Sequence, residues 1–139
     1  MLICCPHCQR NNRLDASRLS AAPVCGACKQ PLFNGKPTEV DAAGFARHAG
    51  ADLPLVIDFW ASWCGPCRRS FPWLNEMQAR YADQGFTVIG VNVDPSKADA
   101  QLFLDKYPAT FPLVYDPAGE LASRYALQGM PSSILLNAD

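Results

Sequence analysis

Leu55-Val56-Ile57-Asp58-Phe59-Trp60-Ala61-Ser62-Trp63-Cys64-Gly65-Pro66-Cys67-Arg68 decides the reading of this chain. Apart from Asp58, its first six residues are apolar, the pattern of a strand buried on both faces. The run then meets two cysteines at the mouth of a helix. Cysteines at i and i+3 in that place can close a small disulfide ring and open it again. The first thiol gains most from the free backbone N–H groups and the dipole of the helix start, which favour a thiolate. The thiolate is the attacking species in disulfide exchange, so the spacing implies a reaction. Cys64 is the expected attacking sulfur and the more exposed of the two, and Cys67, one turn in, is the resolving thiol. Pro66 removes an N–H in the first turn, where it would have no intrahelical partner. Gly65-Pro66 is the dipeptide that tunes the couple.

The amino-terminal cysteines have a different spacing. Cys5-x2-Cys8 and Cys25-x2-Cys28 stand 16 residues apart, the C-x2-C-x15–20-C-x2-C pattern of a structural zinc site. Zinc takes four tetrahedral ligands, and two tight turns with two thiolates each can supply them. Pro6 and Gly26 suit such turns. The first 35 residues offer little for a hydrophobic core, so metal binding would have to supply folding free energy. Two labile disulfides, or unpaired thiols, are the alternative. Cys4 is the odd thiol, either a bystander or a replacement for Cys5, and His7 is expected to be exposed because four cysteines suffice.

The chain has 139 residues, 49% of them apolar, and a formal charge of −1. That suits one domain with a small appendage and argues against a broad nucleic-acid or anionic-membrane surface. No apolar run reaches the ~18 residues of a membrane span, and the start lacks the basic and apolar regions of a signal peptide. Seven clustered cysteines suggest metal and redox work, and the cytoplasm is the default expectation.

The expected organisation is a zinc-binding knuckle over residues 1–35 and an α/β domain over 36–139. A short edge strand is expected at Thr38–Val40, and a helix over Asp41–Ala49 capped by Asp41. Leu55–Trp60 reads as a strand. The main helix runs from Cys64 to about Gln84, kinked by Pro72 and ended by Gly85. Thr87–Val93 reads as a central strand. Ser96 to about Tyr107 reads as a helix with Ala100, Leu102, Phe103 and Leu104 on its apolar face. A strand at Phe111–Tyr115, a helix at Glu120–Ala126 and a strand at Ser133–Leu136 follow. The alternation argues a mostly parallel sheet flanked by helices.

Trp60-Ala61-Ser62-Trp63-Cys64-Gly65-Pro66-Cys67 resembles the active-site segment of thioredoxins. The first half of the chain, with Cys5-Pro6-His7-Cys8, Cys25-Gly26-Ala27-Cys28 and Pro31-Leu32-Phe33-Asn34-Gly35, resembles zinc-containing bacterial thioredoxins. Val88–Asp94 and Phe111–Leu121 with Tyr125 are similar to TlpA-like reductases and peroxiredoxins, which insert a helix and a strand before the next helix. The 35 positions from Asp94 to Gly129 leave room for that insert. Peroxiredoxins do not use a CGPC pair in this way.

The resemblance implies a thioredoxin fold, a central mixed sheet flanked by helices, that lacks its usual last strand and closing helix. It implies that Asp58 lies behind the dithiol and accepts the Cys67 proton, its pKa raised by burial. Thioredoxins often pair this Asp with a Lys on the next strand, and Gly90 stands at that place here. Met130-Pro131 resembles the family's cis-proline, whose preceding backbone would pair with an extended substrate. Trp63, Gly65, Pro66, Met130 and Pro131 are thus the expected substrate contacts, and Trp60 is packing. The implied activity is reduction of protein disulfides, with structural zinc, no organic cofactor and re-reduction by an NADPH-dependent flavoprotein reductase. A specialised TlpA-like reductase is a second enzyme reading. A zinc-ribbon adaptor or redox-regulated chaperone, using the dithiol as a switch, is the reading from another class.

Overall fold

The computed structural model describes residues 1–33 and 38–136. The expected boundary between residues 35 and 36 therefore lies outside the described residues. Two small strands, β1 (Leu2–Cys4) and β2 (Asn11–Arg13), form an antiparallel hairpin. Then come α1 (Ala42–Ala49), β3 (Leu55–Trp60), α2 (Gly65–Tyr81), β4 (Thr87–Asn92), α3 (Lys97–Lys106), β5 (Leu113–Tyr115), α4 (Glu120–Arg124) and β6 (Ser132–Leu136). The main sheet has the order β5-β4-β3-β6. β4 is parallel to both β3 and β5, and β6 runs antiparallel to β3. This is the mixed sheet expected of a thioredoxin fold.

The pleat of β3 sorts its residues between two cores. Leu55, Ile57 and Phe59 pack with Ile89, Val91 and Val114 against Phe45 of α1 and Leu121 of α4. Val56 and Trp60 face the other way, onto Cys67, Phe71 and Leu74 of α2 and Ala100 and Phe103 of α3. Asp58 lies between Val56 and Trp60, so the same alternation turns it toward the α2 side. Rings dominate there: Trp60, Phe103 and Phe111 each lie within 5.4 Å of Phe71, centroid to centroid. Such contacts add to the free energy of apolar burial.

Several local expectations change. Thr38–Val40 is not a full strand but a single parallel bridge, Glu39 to Leu113, flanking β5. α2 runs unbroken through Pro72, which is exposed; a turn of 3-10 helix (Ala82–Gln84) follows, and Gly85 ends it at φ 89°. Leu102 was expected on the apolar face of α3 but is 65% exposed. It lies two residues from Ala100, about 200° around the helix, and so on the far side. The first 33 residues do build a core: Ile3, Cys5, Cys25 and Leu32 close over Leu53 of the main domain. Leu2 and Asp52 tie the two units together, through Leu2 N–H to Asp52 Oδ2 at 2.7 Å and Asp52 N–H to the Leu2 carbonyl at 2.9 Å.

Candidate redox site and metal centre

The residues that connect β3 to α2 set the position of the dithiol. Asp94, buried after β4, accepts from the Ser62 N–H at 2.8 Å and the Ser62 hydroxyl at 2.7 Å. The Asn92 side-chain amide also donates to it, at 2.7 Å. This clamp fixes the turn two residues before Cys64. Cys64 then takes the N-cap position of α2, and the Cys67 N–H donates to its Sγ at 3.2 Å. Cys64 and Cys67 are joined by a disulfide, S–S 2.06 Å. Cys64 is 5% exposed and Cys67 fully buried, so Cys64 is the sulfur nearer to solvent. An attacking thiolate at this position would keep an N–H donor and the positive end of the helix dipole.

Asp58 is buried in the central strand, and burial pushes its carboxyl up to about 6. Its Oδ1 accepts from the Ser133 hydroxyl at 2.8 Å, while Oδ2 has no hydrogen-bond partner among the described residues. Gly90 is the β4 residue in register with Asp58. A Cβ there would lie 2.7 Å from Phe111 Cε2 and 3.1 Å from both Leu113 Cδ2 and Trp60 Nε1. Aromatic packing thus occupies the space where a lysine would have to enter.

Trp63 is 69% exposed beside the dithiol, whereas Trp60 is fully buried. Gly65 and Pro66 are exposed. The Met130–Pro131 peptide bond is cis, and Met130 packs against the core that contains Cys64 and Cys67. Arg68 does not turn to the sulfurs; its guanidinium lies over the Tyr107 ring, 5.3 Å from the centroid, and donates to the Tyr107 hydroxyl at 3.2 Å. Sequence reasoning missed Ser133 and the Asp94 clamp. Both depend on register between distant strands, and no local spacing signals them.

The second site lies in the amino-terminal unit. The sulfurs of Cys5, Cys8, Cys25 and Cys28 lie within 4.8 Å of one another. Cys5 and Cys28 are 3.7 Å apart and Cys8 and Cys25 3.6 Å, with all four thiols free. Sulfurs held about 2.3 Å from a tetrahedral ion would stand about 3.8 Å apart, so the set fits one. The two turns repeat one design. The N–H of His7 reaches Cys5 Sγ, and that of Ala27 reaches Cys25 Sγ, both at 3.4 Å. Gln9 and Lys29 close the turns with positive φ. The Cys28 backbone N–H leads in holding the Cys25 thiol below its ordinary range, joined by Ala27 and the Asn12 amide. Cys4 stands outside the cluster, its thiol turned to the carbonyls of Cys5 and Gln9, so Cys5 is the residue that completes the set.

Two family models match this chain. The Redoxin family model matches residues 20–139, and the model described as Thioredoxin 2, N-terminal, a zinc ribbon, matches residues 4–30. The thiol-disulfide oxidoreductase ResA of Bacillus thuringiensis subsp. konkukian is 30% identical, over 94% of this chain and 85% of its own length. Thioredoxin C-3 of Corynebacterium nephridii is 36% identical over 68% of this chain and 63% of its own. A protein from Chlorobium tepidum assigned as thiol:disulfide interchange protein DsbE superposes with a TM-score of 0.60. It is 49% identical, over 62% of this chain and 61% of that one. The chain spans 43–49% of the length of several further ResA proteins.

Proposed function

The chain belongs to the Redoxin family, and from that premise we propose that it reduces protein disulfides by dithiol exchange through Cys64 and Cys67. The observation that carries this reading is the Cys64–Cys67 disulfide at the N-terminus of α2, with a buried carboxylate on the strand that leads to it.

In the reduced protein, Cys64 attacks one sulfur of a substrate disulfide. A mixed disulfide forms, and the other substrate sulfur leaves and takes a proton. Asp58 then accepts the Cys67 proton, and the Cys67 thiolate attacks Cys64 Sγ. The second substrate sulfur leaves as a thiolate and takes a proton, and two electrons have passed from the dithiol to the substrate. The enzyme is left in the oxidised state seen here. Trp63, Gly65, Pro66 and the backbone at Met130-Pro131 provide the surface against which an extended substrate lies. An NADPH-dependent flavoprotein reductase is the donor that restores the dithiol, and a reducing compartment such as the cytoplasm suits that cycle.

We read the four-cysteine cluster as a structural zinc site held by Cys5, Cys8, Cys25 and Cys28. Thiolate donors and sulfur spacing favour zinc, and zinc bound there supplies a cross-link between the two turns. An insulin-reduction assay tests the enzyme reading. Cys64→Ser is expected to abolish turnover, and Cys67→Ser to accumulate a mixed disulfide. Turnover that survives Cys64→Ser contradicts it, whereas a parent chain without turnover, whose partner binding is lost on zinc removal, supports the adaptor or chaperone reading.

A further inference from the structure

We propose that Ser133 is a positioning residue for dithiol exchange: its hydroxyl holds Asp58 by Oδ1 and leaves Oδ2 as the oxygen open to the Cys67 proton. The inference rests on the proposed role of Asp58 as the proton acceptor.

The register of the sheet makes the contact specific. β6 runs antiparallel to β3 and pairs Ser133 directly with Asp58. Residues opposite each other in such a pair point to the same face. The hydroxyl therefore sits on the α2 side beside the carboxylate, 2.8 Å from Oδ1. It is the one hydrogen-bond donor to this carboxylate among the described residues, and Oδ2 is left bare.

Among the described residues no other side chain donates to the Asp58 carboxylate. Gly90, in register on β4, has no side chain, and Phe111, Leu113 and Trp60 fill its surroundings. The charged residues of α2, Arg68, Arg69, Glu76 and Arg80, are all exposed. From that helix the sulfur that packs into the same core as Val56 and Trp60 is that of Cys67. In the oxidised chain burial pushes the Asp58 carboxyl up, and among the described residues the Ser133 hydroxyl pulls it down.

The chemistry follows from the donor count. A serine hydroxyl has one proton to give. Given to Oδ1, it favours the ionised carboxylate, the form able to take a proton. It also restrains rotation of the carboxylate, so the accepting atom is defined. When the Cys67 proton arrives on Oδ2, Oδ1 remains an acceptor and the hydroxyl need not move. Asp58 can then release that proton without rearrangement of β6.

The test follows the resolving step, attack of Cys67 on a preformed mixed disulfide, as a function of pH, together with the carbon-13 shift of the Asp58 carboxyl. In Ser133→Ala the carboxyl titration and the acid limb of the rate profile are expected to move up together by about one pH unit, the worth of one hydrogen bond to a charged group. Ser133→Thr keeps the hydroxyl and is expected to restore both. Ser133 is exposed, so removal of its hydroxyl is compatible with a folded chain. A limb that Asp58→Asn removes but Ser133→Ala leaves in place overturns the assignment of Ser133 alone. A limb that survives Asp58→Asn overturns the Asp58 reading and this inference with it.

Discussion

Asp58 places a carboxyl group where burial disfavours its charge. Its unfolded value is near 3.8 and its folded value about 6. Stability from this group is therefore full below pH ~4 and is lost as pH rises to about 6, because the unfolded chain releases the proton first. Asp58→Asn removes that loss and is expected to stabilise the protein by about 3 kcal/mol at pH 7.5, with the gain vanishing near pH 4. Denaturant unfolding at the two pH values measures this, and an equal effect at both would contradict it. The cysteines and Asp58 were legible in the sequence because their meaning is local: i, i+3 sulfurs at a helix start, and one acid in an apolar strand. Ser133 was not, because it acts on a residue 75 positions away. Only the register of β6 on β3 brings the two together.

At the scale of elements, the placement of α2 depends on the clamp between β4 and the turn before the helix. Asp94 lies 32 positions from Ser62, yet takes both its N–H and its hydroxyl. Asp94→Ala leaves these donors and the Asn92 amide without their acceptor in a buried setting. It is expected to cost about 2–4 kcal/mol and to slow exchange at Cys64. Thermal unfolding and single-turnover kinetics read the two effects, and an unchanged stability would mean that water replaces the clamp. Helices and strands with a strong periodic signal were legible here, and β3 runs over Leu55–Trp60 as its apolar pattern predicts. Thr38–Val40 and Leu102 were misread for a shared reason. Composition shows that a residue is apolar, whereas pairing and the angle around a helix decide whether it is covered.

At the scale of the whole molecule, the seam between the amino-terminal unit and the α/β domain carries its own acid sensitivity. His48 of α1 lines a small cavity there with Cys4, Leu53 and Leu55, and its Nε2 has no partner among the described residues. Burial holds the imidazole down to about 4. It is neutral when folded, so stability is full above pH ~6.5 and is lost as pH falls toward 4. This slope opposes that of Asp58 over nearly the same range. His48→Leu is expected to lose less stability than the parent chain on acidification from pH 7 to 4.5. Denaturation curves at the two values decide it, and an unchanged pH dependence would remove His48 from the account. The amino-terminal core is small, so the proposed metal would add to packing in holding residues 1–33. Chelation is expected to open this unit to proteolysis while Cys64 and Cys67 still exchange. Loss of exchange along with the metal would show that the two units act as one. The cluster of four cysteines was legible from spacing, but the hairpin of β1 and β2 and its docking on Leu53 were not, because neither strand exceeds three residues.

The N-cap sulfur of α2 is expected to be the reactive one. Alkylation of the fully reduced protein at pH 7, with the modified residues identified by mass, tests it directly. Cys64 is expected to react at least about tenfold faster than Cys67 and than a free cysteine, whose thiol is mostly protonated at that pH. Equal and slow modification of both sulfurs would contradict it.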